Sequence, residues 1–226
     1  MNDETKIAGD KTVLDWKKAK QLLGKDPNEE NWETIFDDFL TTRINTRYLD
    51  PIDAISNISA QEGKGFSIVA IYCSLIEFFE TLIKGYGFDS RNYVDQNGQI
   101  IRSAVKRNPK GVALPLSTKE IFVNFLTENE PFDTSFNATT AESFYYNVRC
   151  AILHQAETGP GWYVKDGKSK KSILEASGAA VPEITLHWKL LKKAFDDFIT
   201  KTYKTRLLKE TDLQANFIFK WDNICQ

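Results

Sequence analysis

Two side chains that can do chemistry, Arg149 and His154, stand five residues apart in a segment whose apolar spacing predicts one helix over Thr140–Glu157. At ~100° per residue, these two side chains fall roughly 140° apart on the side opposite the apolar stripe. Between them on that side lie Tyr146, Cys150, Leu153 and Glu157. This arrangement predicts that the helix forms the floor of a groove, with a guanidinium at one edge and an imidazole at the other.

The tyrosine and the leucine of this face would be left in water in a monomer. A second copy of the chain packing there would cover both, which makes the face a candidate dimer interface. A structural alternative is open for the charged pair. His154 suits a helix end through the helix dipole, and Arg149 suits an ion pair with Glu77 or Glu142.

The segment around these two side chains resembles a known signature. Asn147–Glu157, NVRCAILHQAE, follows Phe144-Tyr145-Tyr146 and is similar to the RX4-6H signature of the HEPN superfamily, with four residues between Arg149 and His154. The family often places a polar residue directly after the arginine, whereas Cys150 stands there in this chain. Asn147, on the preceding turn, is not assumed to replace that residue.

The resemblance extends to the remaining helices and implies a fold. HEPN domains are helical bundles with the signature on a late helix. The apolar Phe66–Ile83 helix with Glu77, together with the closing helix, looks like the remainder of such a bundle. We therefore expect a mostly α protein with a polar N-terminal extension over 1–30, a HEPN-like helical bundle over 31–210 with a small β-hairpin after the motif helix, and a tail over 211–226 that packs on the bundle.

The resemblance also implies an activity. Many HEPN proteins are metal-independent endoribonucleases that act as toxins or phage-defence effectors, so neither a metal nor a cofactor is expected. Cleavage of RNA by its own 2′-hydroxyl needs a base, an acid and a cation near the phosphate. Arg149 and His154 would be the catalytic residues, and a two-fold dimer would unite two copies of each in one composite site. The supporting positions would be Asn147, Cys150, Tyr146, Glu77 and Glu157.

RNA would be the main partner under this hypothesis. A basic turn after the motif helix would hold flanking phosphates through Lys165, Lys168, Lys170 and Lys171. Tyr146 or Trp162 would be available to stack an unpaired base, although core packing is the commoner fate of either aromatic. A second copy of the chain and an antitoxin or regulatory protein are further candidate partners, and no membrane partner is expected.

Other functions are open. A non-catalytic HEPN-like module would bind RNA, a nucleotide or a protein without turnover, and Cys150 favours this alternative. A purely structural interaction domain would leave Arg149 and His154 replaceable. A nucleophilic role for Cys150 lacks the context of a cysteine-histidine family. His187 is interpreted as structural because a cation is disfavoured in the first turn of its predicted helix, and Gly63-Lys64-Gly65 lacks the preceding strand that a phosphate loop requires.

Composition limits these hypotheses. The polar start and the lack of an apolar run of about eighteen residues predict a soluble, cytoplasmic protein. The three cysteines are far apart and form no CxxC pair, so neither a disulfide framework nor a zinc site is expected. A net charge of -2 argues against a strongly cationic coat, yet residues 147–226 carry 13 Lys and Arg against 9 Asp and Glu. Either a basic surface for a polyanion or a solvated helix face accounts for this excess.

Periodicity predicts the elements that would position these residues. The predicted helices cover Val13–Leu23, Asn31–Leu49, Ile52–Ile58, Phe66–Ile83, Lys119–Leu126, Thr140–Glu157 and Glu183–Leu208. Asp50-Pro51 is expected to separate the second helix from the third. A capping box over Thr139–Glu142 would begin the motif helix, and Gly159-Pro160-Gly161 would end it. Trp162–Val164 and Ile173-Leu174 are expected to pair as the hairpin, and Asn216–Gln226 is expected to form a strand.

Overall fold

The structure, a computed structural model, describes residues 1–59, 63–89, 91–178 and 183–226. Helices dominate and the strands form only small sheets, so the predicted mostly α class is confirmed. The helices are α1 (Val13–Lys25), α2 (29–56), α3 (Lys64–Lys84), α4 (Thr118–Glu128), α5 (138–155), α6 (188–207) and α7 (Thr211–Ile224). The strands are β1 (Lys6–Ala8), β2 (Lys11–Thr12), β3 (Gly87–Asp89), β4 (Asn92–Val94), β5 (Arg102–Arg107), β6 (Ala113–Pro115), β7 (Trp162–Lys165), β8 (Leu174–Ala176) and β9 (Ile184–His187).

The described residues divide into two compact units. The first comprises Met1–Pro51, Thr81–Ser117 and Tyr203–Gln226, and the second comprises Ile52–Glu80 and Thr118–Thr202. In the first unit Trp16 packs 5.4 Å from Phe39 and 5.7 Å from Trp221, measured between ring centroids. The Trp16 indole N–H donates to Asp222 Oδ1 at 2.9 Å, which ties α1 to α7.

Helix α7 replaces the strand that was predicted for the C-terminal segment. Leu213, Phe217 and Trp221 are buried and stand four residues apart, which is the spacing of a helix stripe. The prediction was wrong because it weighed the apolar content of Asn216–Gln226 and not the period of its apolar residues.

The second unit contains every residue that the sequence predicted for the functional site. Its core is aromatic. Phe125 lies 5.0 Å from Phe132 and 5.1 Å from Phe198, and Tyr72 stacks on Phe195 at 4.7 Å. These rings come from α3, α4, α6 and the turn after α4, so burial of their surfaces fixes the helices that carry the site.

The strands after α5 form a three-stranded sheet in the order β7-β9-β8. Strand β9 lies in the centre, parallel to β7 and antiparallel to β8. The predicted hairpin between Trp162–Val164 and Ile173-Leu174 is therefore wrong, because β9 pairs with both. The sequence prediction had placed Ile184–His187 in the first turn of a helix, whereas α6 begins only at Trp188.

The two apolar helices that precede the sheet also differ from expectation. Helix α2 continues through Asp50-Pro51, where we expected it to end. Proline has no backbone N–H to donate, and in this helix it follows a wide π-turn at Asn45–Leu49. Helix α3 is long and apolar enough, by length and composition alone, to cross a membrane, so the statement that no such run exists was wrong. Most of its apolar window is buried inside the fold, which is typical of a core helix.

Candidate active site

The motif helix α5 begins with a capping box at Asn137. Asn137 Oδ1 accepts from the Thr140 backbone N–H at 2.9 Å, and Thr140 Oγ1 accepts from the Asn137 N–H at 2.9 Å. The predicted box that joined Thr139 to Glu142 is therefore wrong, and Glu142 forms an ion pair with Lys119 instead. The observed cap fixes where the helix begins and hence which face its later residues occupy.

The end of α5 is set by a return of the chain onto the helix. Ala156 adopts a left-handed conformation with φ 54°, and the chain then brings the Gly159 N–H to the Asn147 carbonyl at 2.6 Å. A Cβ at Gly159 would lie 2.4 Å from Asn147 Oδ1, so any larger residue there would displace the Asn147 side chain. The Asn147 amide donates to Ser143 Oγ at 3.2 Å. The structure thus places the predicted supporting residue Asn147 at the contact that ends the helix.

A wide π-turn, Tyr145–Cys150, lies inside α5 and contains the arginine of the motif. The Ala151 N–H donates to the Tyr146 carbonyl, five residues earlier, as well as to the Val148 carbonyl. Because a π-turn holds one residue more than an α-turn, the angle of 140° calculated for a uniform α-helix does not apply here. Turns of this kind are frequent at functional sites, but α2 and α6 of this chain also contain them.

Arg149 is held by Glu77 of α3. Its Nε and Nη2 atoms lie 3.0 Å and 2.8 Å from Glu77 Oε1, and the two side chains are 22% and 24% exposed. The guanidinium carbon lies 5.5 Å from the ring centroid of Tyr145. Of the two acidic partners that the sequence offered, Glu77 makes the pair. Tyr145 was missed, although its position four residues before Arg149 on one helix was a usable signal.

The electrostatics of this group follow from its partial burial. Burial raises the pKa of Glu77 above its ordinary value, although the attraction of Arg149 opposes the rise. Burial also disfavours the charged guanidinium, but Glu77 outweighs that effect and the pKa of Arg149 is raised. Burial, followed by the neighbouring Cys150, raises the pKa of Tyr145 to about 12. At neutral pH the tyrosine therefore offers a neutral phenol and the arginine a fixed positive charge.

Two thiols lie near this ion pair. Cys150 is half-buried, and its thiol contributes to the raised pKa of the Tyr145 phenol. Cys73 is buried, and burial raises the pKa of its thiol, which makes it a poor nucleophile. The residue that follows the arginine is thus a half-buried thiol, where the HEPN signature often has a polar side chain.

His154 is exposed on the last turn of α5, where no described residue bonds to its ring. Leu153, beside it, is 57% exposed, and Tyr146 is 52% exposed. The Lys119 ammonium lies 5.5 Å from the ring centroid of Tyr146. The histidine, the leucine and the tyrosine thus form an open, partly apolar surface on the motif helix.

Two other predicted residues are engaged locally. The Glu157 carboxylate accepts from the Thr158 backbone N–H at 2.9 Å, so it caps the turn that follows α5. Trp162 is buried against Phe144 at 5.6 Å between centroids, and its indole N–H donates to Ser143 Oγ at 3.0 Å. Trp162 is therefore a core residue, which is the alternative that the sequence left open beside base stacking.

The predicted RNA-binding lysines lie around the β7-β9-β8 sheet and differ in their contacts. Lys165 lies 5.9 Å from the centroid of the Tyr163 ring, and Lys168 and Lys171 are exposed. Lys170 is paired with Glu175 at 2.9 Å. Lys165 thus belongs to β7, and the other three lysines lie in the loop after it.

His187 has a structural position, but not the expected one. It ends β9 and is buried, with Nε2 3.2 Å from Glu175 Oε2. A Cβ at Gly167 would lie 2.6 Å from His187 Cβ, so the loop after β7 passes directly over it. The predicted place in the first turn of a helix was wrong by a few residues.

Comparison with known proteins gives no relative from which to transfer a function. No protein-family model matches the chain, and no curated protein or solved structure is detectably similar to it. Within the part of the chain that the structure describes, no group of three or more His, Cys, Asp or Glu side chains could hold a metal ion. The fold defines a mostly helical protein with small sheets, and the chemistry of the site is the remaining guide to function.

Proposed function

We propose that the protein is a cytoplasmic, metal-independent endoribonuclease of the HEPN type that acts as a toxin or phage-defence effector. One observation carries the proposal. A guanidinium held by a carboxylate and an exposed imidazole lie on successive turns of one helix, Arg149 in the π-turn and His154 in the last turn. The sequence motif identified these two residues, and the contacts of each side chain suit the role that we propose for it.

The contacts of Arg149 suit a phosphate-bracing role. A guanidinium has five N–H donors, and two of them are directed to Glu77. Three donors remain for the phosphoryl oxygens of a substrate, on a side chain that is 22% exposed. Glu77 and Tyr145 act as positioning residues, because they restrict the guanidinium before RNA binds.

His154 suits proton transfer. In the proposed reaction the 2′-hydroxyl attacks the adjacent phosphorus after an imidazole takes its proton. The bond from phosphorus to the 5′-oxygen breaks, a second imidazole protonates that oxygen, and a 2′,3′-cyclic phosphate remains. One histidine cannot serve both ends at once, so we propose a homodimer whose two His154 side chains share a cleft. The exposure of Leu153 and Tyr146 beside it is consistent with such an interface.

A non-catalytic module is the second candidate, and one observation favours it. Glu77 already engages the guanidinium, so the group could serve only to pack α5 on α3. Such a protein would bind RNA, a nucleotide or a regulatory partner such as an antitoxin without turnover.

The test is cleavage of single-stranded and transfer RNA by the purified full chain in EDTA, with end-group analysis for cyclic phosphate. Replacing His154 with Ala or Arg149 with Gln is expected to lower the cleavage rate by about 10²-fold or more. Gln155→Ala is the matched control, because Gln155 is an exposed neighbour on the same helix turn. Cleavage that persists in both site variants would refute the proposal, and RNA binding without cleavage would select the non-catalytic module.

The dimer is tested separately. Leu153→Glu places a charge on the exposed face beside an intact His154 and should yield a monomer, seen by analytical ultracentrifugation, that no longer cleaves RNA. Leu22→Glu is the control, since Leu22 is a 43% exposed leucine on α1. A Leu153→Glu monomer with unchanged activity would remove the composite site.

A further inference from the structure

A cavity of about 510 Å³ lies in the second unit, and neither Arg149 nor His154 lines it. It opens where the parallel strands β7 and β9 end and where α3 and α6 begin. Ligands of parallel sheets bind at the carboxyl ends of the strands, and pockets for small molecules have volumes in this range. Gly63-Lys64-Gly65, which lacks a preceding strand in sequence, here lies beside two strands contributed by a later segment.

The walls of the cavity carry an excess of positive charge. Among the residues that the structure describes, Lys64, Lys165 and Lys189 line it, together with one carboxylate, that of Asp166. The Lys189 ammonium lies 3.2 Å from Asp166 Oδ2, and the Lys168 backbone N–H donates to Asp166 Oδ1 at 3.1 Å. Asp166 is thus already compensated, which leaves the other two ammonium groups to act on a ligand.

Two of the three lysines have weak competing contacts. Lys64 Nζ lies 3.4 Å and 3.3 Å from the carbonyl oxygens of Ser56 and Ile58, which are long hydrogen bonds. Lys165 is exposed, and its ammonium group lies 5.9 Å from the centroid of the Tyr163 ring. Each of these ammonium groups can therefore turn to an anion at little cost.

The first turns of two long helices add to this field. Helix α6 begins at Trp188, directly after His187, whose side chain makes no capping hydrogen bond. Helix α3 begins at Lys64 and runs for 21 residues. Backbone N–H groups of a first helix turn lack partners in the helix and favour an anion. In α6 one of them, the Lys189 N–H, donates to the Asp166 carbonyl over a long distance of 3.3 Å.

An unpaired donor at the cavity points to a ligand independently. Trp188 is 4% exposed, lines the cavity, and its indole N–H has no hydrogen-bond partner among the described residues. A Cβ at Gly65 would lie 3.1 Å from Trp188 Cδ1, 3.5 Å from Nε1 and 2.9 Å from Val164 Cγ1. Glycine at position 65 thus lets the first turn of α3 approach the edge of the indole that carries its N–H. The indole N–H is therefore a donor that an acceptor bound in the cavity can reach.

We propose that this cavity binds a phosphomonoester, with Lys64, Lys165 and the first turns of α3 and α6 around the phosphate and the Trp188 N–H as a further donor. Two sources carry this group: a free mononucleotide and the 5′-phosphate of an RNA end. The proposal does not depend on RNA cleavage, because neither Arg149 nor His154 takes part in it.

The test uses the full-length protein labelled with ¹⁵N. The indole N–H resonance of Trp188, assigned from its loss in Trp188→Phe, should shift as AMP is added and should not shift with adenosine. The same comparison is made with a 2′-O-methylated RNA trinucleotide with and without a 5′-phosphate, since this RNA cannot be cleaved through its own 2′-hydroxyl. Response to AMP alone identifies a free nucleotide, and response to the phosphorylated trinucleotide alone identifies an RNA end.

The binding site is located by measuring the affinity of variants with calorimetry, using whichever phosphorylated probe binds the wild type. Each of Lys64→Gln and Lys165→Gln should weaken affinity by about tenfold, and Trp188→Phe should weaken it a few-fold. Lys168→Gln is the matched control, because Lys168 is exposed on the same loop as Lys165 but does not line the cavity. Equal binding of the forms with and without phosphate, no response at millimolar probe, or full affinity in the Lys64→Gln/Lys165→Gln double variant would each overturn the proposal.

Discussion

Removal of the positive charge from the Glu77–Arg149 pair should destabilise the protein in a pH-dependent way. The side chains are 24% and 22% exposed, so their pair lies between a surface ion pair, worth about 0–1 kcal/mol, and a buried one, whose breaking costs about 3–5 kcal/mol. We expect Arg149→Met to lower the free energy of unfolding at pH 7 by about 2 kcal/mol. Glu77→Gln should cost less, because the amide still accepts a hydrogen bond from the guanidinium.

The pH dependence follows from the pKa of Glu77. Burial raises it in the folded protein, and in Arg149→Met the opposing attraction is gone, so the pKa rises further. A carboxyl group with a raised pKa binds more protons when folded than when unfolded. Its contribution to stability is thus complete below the unfolded pKa and is lost as pH increases through the folded pKa. Arg149→Met should therefore lose stability more steeply than the wild type as pH increases above the ordinary pKa of a glutamate.

The assay is urea denaturation of the wild type, both single variants and the Glu77→Gln/Arg149→Met double variant at four pH values, at one protein concentration. The double variant should show no steeper pH dependence than the wild type. At pH 7 the double-mutant cycle should give a coupling of about 1–2 kcal/mol. A coupling within about 0.3 kcal/mol of zero, together with parallel pH profiles for Arg149→Met and the wild type, would refute the view that this pair fixes the guanidinium.

Three further outcomes are expected. Asn137→Ala should destabilise the protein by about 1 kcal/mol because α5 loses its cap, whereas Thr139→Ala should have little effect; equal losses in thermal denaturation would contradict the observed cap. Phe125→Ala should cost about 3–5 kcal/mol in urea denaturation, and a loss near 1 kcal/mol would mean that the aromatic core is not packed as described. Burial lowers the pKa of Lys220 to about 8, so the unfolded state binds the extra proton and stability should rise from pH 8 toward 10. Lys220→Met should remove that rise, and an unchanged pH profile would count against the burial of the ammonium.

Sequence periodicity predicted a helix correctly where one stripe of apolar residues within the segment determines its structure. Val13–Leu23, Phe66–Ile83 and Lys119–Leu126 each lie inside an observed helix. Their apolar residues are close in sequence, so a local window contains the whole signal. The π-turns left no such signal, since a turn with one extra residue depends on the packing around it.

The predictions were wrong where the structure of a segment depends on contacts with segments far away in the sequence. Strand β9 pairs with both β7 and β8, and a short apolar run such as Ile184–His187 can be a strand or a helix start until its partners are known. The cavity beside Trp188 was missed for the same reason. Its walls come from the start of α3, the end of β7 and the start of α6, and no window of sequence contains all three.

The contacts within one chain restrain Arg149 more than they restrain His154. Arg149 is restrained by Glu77 and Tyr145, both of which the same unit supplies. His154 lies exposed, and no described residue bonds to its ring. An acid or base must stand within hydrogen-bond reach of the proton that it transfers, and its orientation must come from a partner. If the protein cleaves RNA, that partner is therefore the substrate or a second copy of the chain, so catalysis should depend on association more strongly for the imidazole than for the guanidinium.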